Sequence, residues 1–264
     1  MRRIALASVA TITIALIALI AGPRSVSAAP VNWTGFYIGG NLGYGWGSDT
    51  GSGFNSFTDI PVGGSFFGAA GYFGAGGNVL PGVTPKGVIG GGQIGYNWQN
   101  NPAWVWGLVA DFQASGMKDS ASATVTPPGF VNTIQTNDSK IDWFGTVRGR
   151  AGFTSANWLL YGTGGLAYGK VRTDTRLDCA PCAPPQFFAG STSQTKAGWT
   201  LGAGLELAMF PHWTVGAEYL YFDLGKITTT AALVSGTNSG TTFASESAFR
   251  GSIVRMTFNY KFAP

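Results

Sequence analysis

Charge is what this 264-residue chain has least of: Asp, Glu, Lys and Arg together make up 11% of it, about half of what a soluble domain carries. Histidine occurs once, at His212, and cysteine twice, at Cys179 and Cys182. One histidine and two cysteines do not complete a four-ligand zinc site, and no metal or other cofactor is expected. Beyond the first twenty or so residues no apolar run reaches the roughly 18 residues of a spanning helix, so a helical membrane protein is excluded for the rest of the chain. Glycine and aromatics are abundant instead, with 41 glycines and 14% Phe, Trp and Tyr. The glycines follow no collagen period.

The N-terminus sets the compartment. Arg2 and Arg3 precede an apolar or small-residue core from Ile4 to Ile20, and Val26-Ser27-Ala28 fits the small-x-small rule of signal peptidase. Cleavage between Ala28 and Ala29 is expected, with residues 1–28 a removed leader and 29–264 one barrel domain. Losing Arg2, Arg3 and Arg24 takes the formal charge from +4 to near +1, so the basic character of the whole chain implies no nucleic-acid partner.

An exported, glycine- and aromatic-rich chain with little charge and no spanning helix suggests the other structure that satisfies its backbone in lipid, a closed β-barrel. Strict period two supports it. In the first such segment Phe36, Ile38, Leu42, Tyr44 and Trp46 share one face, and Asn41 and several glycines the other. The same design returns at Val88–Trp98, Trp104–Phe112, Ile141–Phe153, Leu160–Tyr168, Trp199–Met209, Trp213–Tyr221 and Val254–Phe262. Leu159 and Tyr161 blur the inner face of the fifth. The fold class is therefore all-β, an eight-stranded antiparallel up-and-down transmembrane barrel. Short connections, such as Asn100-Asn101-Pro102 and Pro211-His212, alternate with long ones over roughly 48–85, 116–138, 174–195 and 225–248. That alternation puts the long loops outside the cell and both mature termini in the periplasm.

Asp111, Arg148, Arg150, Glu206, Glu218 and Arg255 all fall on the inward parity. An eight-stranded barrel has an interior that side chains fill, so mixed charges there predict an ion-pair network that plugs the lumen. Glu206 and Glu218 are assigned to Arg148 and Arg255 as partners. The alternative is a charged constriction of a narrow pore. Cys179 and Cys182 fall in the third long loop, where export favours a disulfide clip. Trp33, Trp98, Trp104, Trp158 and Trp213 cluster at strand ends on the short-turn side, as an interfacial girdle does. His212 lies in a short turn, away from any outer rim, so a Ser-His pair is not expected there and neither is an enzyme. Clusters such as Gly90-Gly91-Gly92 lack the following helix of a phosphate loop.

The segment Trp33-Thr-Gly-Phe-Tyr-Ile-Gly-Gly-Asn-Leu-Gly-Tyr-Gly-Trp46 resembles the opening strand of the small outer-membrane surface-antigen family of alphaproteobacteria, often termed outer-membrane immunogenic or porin-family proteins. Val254-Arg-Met-Thr-Phe-Asn-Tyr-Lys-Phe262 resembles its closing strand. The resemblance implies an OmpA-like barrel of a Gram-negative cell envelope that supports envelope integrity. Its expected partners are outer-membrane lipid and lipopolysaccharide, the barrel-assembly machinery during insertion, and host or environmental ligands at the loops. Two departures stand out: Ala263-Pro264 follow the terminal aromatic, and the cysteine pair lies outside the shared motifs.

Overall fold

The computed structural model describes residues 31–47, 54–58, 81–126, 128–129, 131–182, 185–236 and 242–262. The expected leader and its cleavage point at Ala28 and Ala29 lie outside the described residues.

Ten antiparallel strands follow one another with no helix among the described residues: β1 (Gly35–Gly47), β2 (Phe54–Thr58), β3 (Lys86–Trp98), β4 (Trp104–Ser115), β5 (Lys118–Val125), β6 (Thr133–Ser155), β7 (Trp158–Cys179), β8 (Gln186–Phe210), β9 (Trp213–Ser235) and β10 (Thr242–Lys261). Around the wall β1, β3, β4, β6, β7, β8, β9 and β10 pair in chain order, and β10 pairs back to β1, so the sheet closes into a ring. β5 continues β4 past a break at Gly116-Met117, and β2 adds to β10 outside the ring. Eight staves therefore make the wall, and closure leaves its central part no free edge.

Three of the four long connections are mostly strand, which corrects the loop assignments at 116–138, 174–195 and 225–248. β7, β8 and β9 run for 22, 25 and 23 residues. At about 3.3 Å per residue that is roughly twice the length needed to cross a bilayer. Cys179 accordingly ends β7, and its sulfur is bonded to that of Cys182.

The reason is legible on β7. Between Trp158 and Tyr168 the outward residues are apolar, Leu160 and Leu166 being about half exposed. Past Tyr168 the outward positions become Lys170, Arg172, Asp174, Arg176 and Asp178, while Val171, Leu177 and Cys179 are fully buried inside. The alternation inverts where the outside medium changes from apolar to aqueous. A stretch of such sequence counts as loop only when apolar-outward alternation is the sole pattern sought.

The wall is irregular in places. A bulge on β6 between Ile141 and Trp143 turns Ile141 inward, where alternation had placed it outward. The longest irregular stretch lies between β8 and β9. β8 pairs with β9 at Phe187–Ala189 and again from Trp199 onward, with no pairing between. Opposite the gap, Gly225 (φ +77°) and Lys226 form a bulge after which the inward parity of β9 shifts from even to odd residues. The shift carries Ile227 into the interior beside Val171 and Leu224.

Candidate functional site

The interior is stacked in zones, ordered from the short-turn end. Trp33, Val105, Leu159 and Tyr161 pack together first. A charged zone follows, then an apolar zone that includes Met117, Phe144, Val171, Leu220, Phe222 and Phe249. Asn137, Ser139, Thr173, Thr175, Ser245 and Ser247 form a polar zone, and Leu177, Phe188, Ala231 and Phe243 close the far end with Cys182 and Leu233 against them. Along β10 the whole sequence is visible as Asn259, Arg255, Ile253, Phe249, Ser247, Ser245 and Phe243, all buried.

Within the charged zone the structure brings together all six ionisable residues expected there. Arg148 lies 3.0 Å from Asp111 and 2.7 Å from Glu218. Arg255 reaches the same two carboxylates at 2.8 and 2.6 Å. Two cations and two anions thus form a closed square, with every member 4% exposed or less. Thr146 donates to Asp111, Gln113 donates to its other oxygen, and the Tyr161 hydroxyl donates to Glu218. Such extra bonds are what a buried ion pair needs to offset desolvation.

The pairing of Glu206 differs from expectation. It faces Arg150 at 3.0 Å rather than Arg148 or Arg255, because Glu206 sits two residues closer to the short turns than Glu218 does. Arg150 also donates to Asn97 and stacks over the rings of Tyr37 and Tyr161, 4.8 and 5.2 Å from their centroids. Thr214 and Asn259 donate to Glu206.

Inward glycines make room for these groups. A β-carbon at Gly95 would overlap the Tyr37 ring, at Gly204 the Tyr161 ring, and at Gly43 the Arg255 stem. These three interior glycines are therefore the sockets of large inward side chains.

Of the five tryptophans, Trp98, Trp104 and Trp213 point outward at the short-turn end with 38–49% exposure, and Trp158 is half-buried against Phe153. Trp33 is the exception. It precedes the first strand, turns inward and is 1% exposed, with its backbone N–H donating to Gln99. Its parity could not be read because it lies outside the strand. Leu159 and Tyr161, which blurred the inner face of β7, are its neighbours. Sequence reasoning missed the apolar interior zones as well, although the inverted alternation on β7 and β10 carries their signal.

His212, in the β8–β9 turn, bonds through Nδ1 to the Lys261 carbonyl at 3.1 Å, with its ring beside Tyr260. The groups in contact with it are thus a carbonyl and an aromatic ring.

A closed ring of eight staves, apolar outside across one belt and charged within, defines a transmembrane β-barrel. Residues 12–262 match the family model described as outer membrane protein beta-barrel domain, and the chain belongs to that family. It is similar to the 31 kDa outer-membrane immunogenic protein of Brucella melitensis, with 39% identity over 99% of this chain and 100% of that protein. Identity to the 22 kDa outer membrane protein of Rhizobium leguminosarum is 36%, over 50% of this chain and 52% of the other. Among solved structures, the outer membrane protein OprG from Pseudomonas aeruginosa aligns over 89% of this chain and 99% of its own, with TM-score 0.44 and 11% identity. The protein is thus an outer-membrane barrel of the surface-antigen type.

Proposed function

We propose that this protein is a non-enzymatic barrel that stiffens the outer membrane and presents its strand extensions to the cell's surroundings, its lumen closed by the charged square and the apolar zones beside it. The observation that carries the reading is the filled interior: Arg148 and Arg255 span the lumen to shared carboxylates, and Phe144 and Phe222 meet above them at 5.0 Å. The extensions point outward from the cell and both mature termini face the periplasm, in keeping with short turns at one end only. Partners in this reading are outer-leaflet lipid, the assembly machinery during insertion, and host or environmental ligands at the hairpin tips.

Planar-bilayer recording of the refolded chain tests closure. Electrically silent insertions are expected; discrete openings whose conductance changes in Glu218→Gln would replace the plug with a pore. That second reading has its own support, since both side-chain amide atoms of Asn41 and the Gln93 oxygen face the interior with no protein partner, and unsatisfied buried groups of this kind recruit water.

A further inference from the structure

The outward surface holds a feature that closure of the lumen does not explain. Lys86 on β3 is directly opposite Lys118 on β5, Lys118 opposite Lys140 on β6, and Lys140 opposite Arg172 on β7. Residues directly opposite one another on adjacent strands point to the same face, with β-carbons roughly 5 Å apart, and like charges so placed repel. Lys170 projects outward beside this row, opposite Trp143.

Internal neutralisation is partial. Asp142 pairs with Lys140 and Asp174 with Arg172. Among the described residues no carboxylate pairs with Lys86, Lys118 or Lys170, and the nearby Asp119 is engaged by the Thr84 backbone N–H. The row starts where the apolar belt stops: Val88, Phe112, Trp143 and Tyr168 are the nearest large apolar outward residues on the same staves. Three unneutralised cations at the rim of a hydrocarbon belt match a layer of lipid phosphates.

A second observation lies within the belt. Inward glycines such as Gly95 are sockets, but Gly40 and Gly92 face outward, and a β-carbon there would find its nearest atom at 3.7 and 3.8 Å. Side chains would fit at both positions and are absent. At Gly40 this leaves a shallow, mostly apolar groove, lined also by Leu42, Gly91, Val215, Met256 and Phe258. On β3 the groove begins at Gly91, five residues from Lys86 and so roughly 16 Å away at strand rise, within the reach of an acyl chain hung from a phosphate at Lys86.

We infer that the Lys86–Lys118–Lys140–Arg172 row with Lys170, together with the groove below it, is a binding site for a phosphorylated glycolipid of the outer leaflet. The cations take the phosphates and the groove takes an acyl chain. The inference rests on the orientation proposed above, with the extensions on the outer-leaflet side.

Native mass spectrometry of the full chain in mild detergent, titrated with bisphosphorylated lipid A, tests it. The combined variant Lys86→Gln, Lys118→Gln, Lys170→Gln is expected to bind roughly fivefold more weakly per charge removed, while Lys226→Gln, a cation outside the row, binds as the parent does. Gly40→Leu is expected to weaken lipid A binding by filling the groove. Unchanged affinity in the triple variant overturns the site, as does equal affinity for dephosphorylated lipid A. Equal affinity for phosphatidylglycerol overturns the assignment to a glycolipid. Heat-modifiable gel mobility confirms that each variant is folded. Orientation is read separately, by labelling Ser120→Cys on intact cells with a membrane-impermeant maleimide; lack of labelling sinks the orientation and not the charge row.

Discussion

Each member of the charged square is bonded to both opposite charges, so no single residue can be removed without stranding a buried partner. Arg148→Met leaves two carboxylates sharing Arg255 and is expected to cost about 3–5 kcal/mol, measured as the shift in urea midpoint of the refolded barrel. Arg150→Met should cost less, since Glu206 keeps bonds from Thr214 and Asn259. Trp33 makes a different contribution, its ring filling the mouth of the lumen beside Val105 and Leu159. Trp33→Ala should destabilise by about 3–5 kcal/mol, whereas Trp98→Ala, which only leaves lipid contact, should cost clearly less; thermal loss of heat-modifiable mobility ranks the two. All six charges could be found from sequence because parity places them. The partner of Glu206 could not, because parity gives a face and not a height, and a two-residue difference in height decides whether it meets Arg150 or Arg255.

The strands have two halves that obey opposite rules, apolar outward within the belt and apolar inward beyond it. The unpaired stretch of β8 between Ala189 and Trp199 belongs to the second half. Amides there that face β9 should exchange within seconds to minutes, while those bonded to β7 and those from Trp199 to Leu207 stay protected; uniform protection along β8 would contradict the gap. On the same extension, partial burial pushes the Asp174 carboxyl up, but its bonds from Arg172 and Ser191 outweigh this and hold it below the usual carboxylate value. A depressed folded value means the stabilisation is present above the unfolded carboxylate range and fades as pH falls through the folded one. The difference in stability between parent and Asp174→Asn should therefore be largest near neutrality and fade as pH falls below the usual carboxylate range.

At the scale of the molecule the sequence determined a great deal by itself: the ring of eight staves, the outward face of each, the end that carries the short turns, and the identity of the interior charges. These follow from period two and from turn chemistry, which are local properties of the chain. The tertiary structure alone decided the rest. Closing the ring sets relative strand heights, and height assigns Arg148 and Arg255 to the same two carboxylates, sends Trp33 into the mouth, and makes long hairpins of segments whose polar residues suggested loops. It also aligns Lys86, Lys118, Lys140 and Arg172, which are far apart in sequence and unremarkable singly. Register is a relation between strands, and no periodicity within one strand contains it.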